Sequence, residues 1–190
     1  MTNKKAESLN ALRQTDPFRY LYALATTELL LKAYQDIHQD TPLDFNLFKT
    51  IGKGFSSEQE ELRMKELLEI VLQGMPNTNS PIFPANRKAV EVLEAMEKEH
   101  KRLSDADTGN HIYTAIYEQV LPYLVELRER APHMKDLQEI HAIFNTLFFY
   151  KTAYNSGKEE KENMKEPLEK MENLLTTLSE FMAKKERDSH

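Results

Sequence analysis

The chain has no cysteine, only five glycines, no basic excess and no long apolar run. Without cysteine, disulfides, thiolate catalysis and Cys-based zinc or iron–sulfur sites are excluded. Few glycines beside abundant Leu, Glu, Lys, Ala and Met favour helix over strand, so no sheet is expected. No window approaches the roughly 18 apolar residues of a membrane span, and the opening MTNKKAESLNALRQTD has no apolar segment of signal-peptide length. The cytoplasm is the expected compartment. Lys and Arg number 25 against 31 Asp and Glu, a net charge of -6 that disfavours nucleic acid. There is no Gly-rich phosphate loop, no Gly-x-Ser-x-Gly elbow and no His-Glu-x-x-His pair, so hydrolase and nucleotide readings have no support.

What is present is helical periodicity. With 190 residues and 40% apolar content the chain can build one ordinary core. We expect a polar arm over residues 1–15, with Leu9 and Leu12 as its only contacts. Residues 16–187 should form an all-α, single-domain bundle of five or six helices. The stretch Leu137–Tyr154 is the most apolar. At about 100° per residue it carries two apolar strips divided by His141, Asn145 and Thr152, which predicts a central helix beginning near Met134.

The first strong helix follows Asp16-Pro17, an acidic cap with proline at the first helical position, and runs to about Ile37. Leu21, Leu24 and Leu31 share one side with Glu28, and Lys32 stands one turn on. Ser56-Ser57 with Glu60 offers a cap for a helix burying Leu62, Leu67, Ile70 and Val71. Residues 74–84, rich in Asn, Ser and Pro, form the longest irregular stretch, a packed connector or a binding loop exposing Ile82 and Phe83. A helix over 85–103 should bury Val90, Leu93, Met96 and Leu103. The next carries Ile112, Ile116, Val120, Leu124 and Leu127 as a stripe, with Pro122 kinking rather than dividing it. Asn155-Ser156-Gly157 is a helix stop, and Leu168, Met171, Leu175, Leu178 and Met182 form the seam of the last helix.

Few constellations carry chemistry. Glu97-x-x-His100 has the spacing of a di-iron bundle, but no second copy exists, and Lys98, Glu99, Lys101 and Arg102 read as a solvated helix end. A site joining His100, His111 and His141 has no spacing in its favour. His133 reads as a surface or capping residue, and no metal or cofactor is expected. The sharper candidates are polar residues on apolar helices. Burying an unpaired carboxylate costs several kcal/mol, so Glu28 should pair with Lys32 or a neighbouring helix, or face a hydrated pocket. His141 and Asn145 would then bridge helices structurally or line that pocket.

Four segments carry a resemblance: YLYALATTELLLKA (20–33), LPYLVELRER (121–130), EIHAIFNTLFFYK (139–151) and the Leu-rich C-terminal helix ending MAKK. Together they resemble a family of small bacterial all-helical proteins classed only as a domain of unknown function. The pattern of Tyr20-Leu21, Glu28, Leu30 and Lys32-Ala33 is the most specific. The chain departs from it at Ala25, where the family tends to have an aromatic, and at Leu29, where it tends to have an acid. The resemblance implies an all-helical domain and supplies no activity. The expected role is a non-enzymatic interaction or scaffold module for a protein partner or for self-association as a homodimer. The alternative is a small-molecule or metal-binding bundle with a polar pocket near Glu28, Lys32, His141 and Asn145.

Overall fold

The computed structural model describes residues 8–39, 41–51, 58–76, 82–131, 134–152 and 163–188. Among them there is no strand, and eight helices replace the expected five or six. These are α1 (Leu9–Thr15), α2 (Pro17–Ile37), α3 (Phe45–Ile51), α4 (Glu58–Gly74), α5 (Arg87–Leu103), α6 (His111–Arg130), α7 (Glu139–Thr152) and α8 (Lys165–Asp188). The chain divides into two compact units, one through Val92 and one from Leu93. The Ser56-Ser57 cap, His133 and the Asn155-Ser156-Gly157 stop lie outside the described residues, as do positions 77–81 of the irregular stretch.

In the first unit α1, α3 and α4 each pack on α2. The segment read as an arm contributes α1: Ser8 caps it by accepting from the Ala11 N–H, and Leu9 and Leu12 are buried. Helix α2 begins as expected, with the Asp16 carboxylate accepting from the Arg19 N–H and Pro17 in the first turn. Leu21, Leu24, Glu28 and Leu31 are all buried on it. Helix α4 buries Leu67, Leu68 and Val71, while Leu62, expected inside, is 55% exposed. Leu62 lies half a turn around the helix from Val71, so one of the two must face water.

Asn86 joins α4 to α5. Its Oδ1 accepts from the Lys88 N–H at 2.9 Å, capping α5, and its Nδ2 donates to the Val71 carbonyl at 2.7 Å. The side chain is fully buried and held at both ends. Gly74 makes room for it, because a Cβ there would stand 2.5 Å from Asn86 Nδ2.

In the second unit α6 and α7 pack on α8 as well as on each other, so contacts do not single out α7 as a centre. Residues Ile140 and Ala142–Phe148 are nevertheless buried, with His141 between them half-buried. Helix α7 starts at Glu139 and not near Met134. The intervening residues turn, the Met134 N–H bonding to the Ala131 carbonyl and the Leu137 N–H to that of Met134. Pro122 stands inside an uninterrupted α6. On α6 the expected Val120 and Leu124 are buried and Ile116 and Leu127 half-buried, while Ile112 is 70% exposed and Tyr113 is buried in its place. On α8, Met171, Leu174, Leu175 and Leu178 are buried, while Leu168 and Met182 at the ends of the expected seam are half-buried.

An alanine at a helix position normally gains about 0.5–1 kcal/mol over glycine. Gly74→Ala should instead lose about 2 kcal/mol, because the buried Asn86 amide must give up its carbonyl partner. Urea denaturation measures this, and a neutral or stabilised variant would show that Asn86 relaxes freely.

Candidate functional site

The four residues singled out by sequence fall into two pairs. In the first unit the fully buried Glu28 carboxylate receives Lys32 Nζ at 2.8 Å, the Ala85 N–H at 2.9 and 3.0 Å on its two oxygens, and the Asn86 N–H at 2.9 Å. It thus secures the backbone entering α5 with a charge-assisted set of bonds. Lys32 Nζ also lies 5.3 Å from the centre of the Phe83 ring, and Phe83 is half-buried. His141 and Asn145 are one turn apart on α7, in the second unit. Asn145 is buried, and its Oδ1 has no hydrogen-bond partner among the described residues.

A larger polar cluster gathers around Glu97-x-x-His100, the spacing that the sequence offered without a second copy. Glu97, Glu99 and His100, taken there for a solvated helix end, are all buried. The Glu97 Oε2 accepts from the Ile140 N–H at 2.9 Å, and its Oε1 is 3.7 Å from Lys101 Nζ. That N–H belongs to the first turn of α7, where backbone donors lack helical partners. This tertiary cap explains why α7 starts at Glu139.

His100 stands one turn further along α5. Its Nδ1 is 2.7 Å from the Tyr113 hydroxyl, and its Nε2 is 3.0 Å from Glu139 Oε2. Tyr117 donates to the same Glu139 oxygen at 2.6 Å, and Arg128 Nη1 is 3.9 Å from the other. Arg128 also donates from Nη2 to the Leu137 carbonyl at 3.0 Å, holding the turn before α7. Both His100 bonds are made when Tyr113 donates to Nδ1 and the Nε2–H donates to Glu139, while the buried Arg128 Nε has no partner among the described residues.

A family model described as "Domain of unknown function (DUF4924)" matches residues 57–189. The chain belongs to this family. No curated protein and no solved structure matches it. The DUF4924 stretch holds α4 to α8, and so the whole Glu97–His100–Glu139 cluster. It does not include Glu28, Lys32 or the residue 20–33 pattern on which the resemblance was most specific.

The cluster's chemistry is that of a closed relay. Burial pushes the Tyr113 hydroxyl up, with the Glu97 charge adding to the effect, and burial followed by its bond to Glu139 does the same for Tyr117. Both phenols therefore stay protonated. The His100 hydrogen bond, aided by Tyr117 and Arg128 and opposed by burial, holds the Glu139 carboxyl down at about 2. A carboxylate so acidic is a poor base at neutral pH. No group of three or more His, Asp or Glu able to hold a metal occurs among the described residues. The DUF4924 cluster ties α5, α6 and the start of α7 together.

Because the Glu139 carboxyl sits below its ordinary 4.5, the stability it contributes is present above about pH 4.5 and is lost as pH falls toward 2. With its side chain 30% exposed, solvent screening leaves an effect of about 1.5 kcal/mol. Glu139→Gln should be less stable than the parent by that amount at pH 7, with the gap closing between pH 4.5 and 2. Denaturant titrations of both proteins across that range measure it, and a gap independent of pH would contradict the assignment.

Proposed function

We propose that the chain is a non-enzymatic protein-interaction module whose partner docks on the outer face of α6. The observation that carries this reading is an apolar strip left facing water on that helix. Leu121 and Val125, one turn apart, are 39% and 51% exposed, with the exposed Pro122 beside them. Meanwhile the buried ionisable groups described above are engaged in holding helix starts and turns. Exposed apolar side chains grouped on a helix mark interaction surfaces more often than scattered ones do. Glu118, Glu126 and Glu129 flank the strip and are exposed, Glu126 paired with Arg130 one turn on. The complementary partner is an amphipathic helix with apolar residues one turn apart and Lys or Arg on its flanks. A second copy of this chain would set acidic flank against acidic flank, which favours a different protein over a homodimer.

A synthetic Leu/Lys amphipathic helix is a suitable probe. In an NMR titration it should shift the amides of Glu118, Leu121 and Val125 saturably, and Val125→Glu should weaken binding about tenfold or more. Saturable shifts confined to other helices, or none, would remove the docking face. Light scattering that finds a dimer broken by Leu121→Glu would replace the basic partner by a second copy.

The alternative, a small-molecule or metal-binding bundle, is supported in the second unit by the buried Asn145, whose Oδ1 has no hydrogen-bond partner among the described residues. A buried acceptor without a donor is unfavourable unless water or a ligand supplies one. Glu28 argues the other way, since backbone N–H groups and Lys32 already occupy it. On this alternative, a thermal-shift screen of metals and metabolites should give a hit that Asn145→Leu abolishes. An empty screen sinks it.

A further inference from the structure

The C-terminal ends of α5 and α8 border a pocket of about 430 Å³ lined by Arg102, Phe181, Lys184, Lys185 and Asp188. Three of these five residues are cations, in a chain whose net charge is -6. Two are held by one buried carboxylate. Glu99 Oε1 accepts from Arg102 Nε at 3.1 Å and Nη2 at 2.6 Å, and its Oε2 accepts from Lys185 Nζ at 2.9 Å. The Arg102 guanidinium holds the Glu99 carboxyl below the usual range, so the clamp stays charged at neutral pH. A guanidinium has five N–H donors, and Glu99 engages only part of this set.

Lys184 is exposed and has no ion-pair partner among the described residues. Phe181 supplies an apolar wall. Its ring is fixed edge-on against the buried Tyr113, with centroids 6.3 Å apart and planes at 90°. Basic residues in the last turn of a helix offset its dipole, and this alone would account for Lys184. It does not account for a buried glutamate gathering one cation from α5 and another from α8 beside a fixed aromatic ring. Such prior ordering lowers the entropy cost of binding.

The geometry points to a binding site for a small organic anion, its carboxylate or phosphate set among Arg102, Lys184 and Lys185 and its flat apolar body against Phe181. The depression is shallow and open, with Arg102, Lys184, Lys185 and Asp188 all exposed, so a ligand would lie across it rather than be enclosed. Asp188 adds one acceptor to the lining, suited to a ligand hydroxyl or amine. This site is separate from the α6 face.

NMR titration of the full chain with benzoate, phenyl phosphate and inorganic phosphate tests it. One or both aromatic anions should shift the Arg102 Nε–H and the Phe181 ring saturably, with affinity about tenfold above inorganic phosphate. The stronger arm identifies the ligand's acidic group as carboxylate or phosphate. Lys184→Gln, which removes no described contact, should weaken binding about threefold or more with the rest of the spectrum unchanged. Phe181→Leu should bring the aromatic anions down to the level of inorganic phosphate. The proposal is overturned by absence of saturation below roughly 10 mM, by equal affinity for all three anions, or by Lys184→Gln binding as the parent does.

Discussion

A buried carboxylate must find hydrogen-bond donors or lose several kcal/mol, and in this chain helix entries supply those donors. Glu28 accepts the N–H groups of Ala85 and Asn86, immediately before α5. Glu97 accepts the Ile140 N–H in the first turn of α7. In each case two needs cancel: the backbone has donors with no helical acceptor, and the glutamate has oxygens with no water. Each contact spans more than 40 residues of sequence, so it closes a long loop as well as capping a helix. The first unit extends the device through Asn86, which ties the end of α4 to the start of α5 in the space left by Gly74.

The second unit builds a larger version. His100 is gripped from both ring nitrogens by Tyr113 and Glu139, and Tyr117 and Arg128 complete the carboxylate's surroundings. The tyrosines and the glutamate around the histidine are shifted in opposite directions. The phenols are pushed up and the carboxyl down, so each group is stabilised in the protonation state that its hydrogen bonds require. Networks satisfied in this way specify one packing arrangement. The groups open to an external partner lie at the surface, as the apolar strip of α6 and the cationic pocket around Phe181.

Much of the helical content was legible in the chain. Asp16-Pro17 marked the start of α2, Glu28 was recognised as an inward carboxylate needing Lys32 or a neighbour, and Pro122 was assigned to a continuous helix. The misses have a common cause. On α5, Glu97 and His100 lie on the same arc as Leu93, Met96 and Leu103, so their angular position already marked them as inward. The basic and acidic residues around them obscured this, because charge runs usually face water. Long side chains such as Lys101 and Arg102 reach solvent from the edge of a buried face while their neighbours do not. Ile112 was misplaced for a related reason: Tyr113, one residue on, carries a hydroxyl that only a buried partner, His100, makes favourable inside.

Local chemistry alone determined that this chain would be helical and where α2 would begin, because periodicity, capping and proline placement act over a few residues. Tertiary structure decided which polar residues are buried and where α7 begins. It also decided that Tyr113 rather than Ile112 is buried at the start of α6, because each outcome depends on a partner many residues away. Glu97 has no local sign of its role: only the arrival of the Ile140 N–H turns a glutamate in a charged run into the cap of another helix.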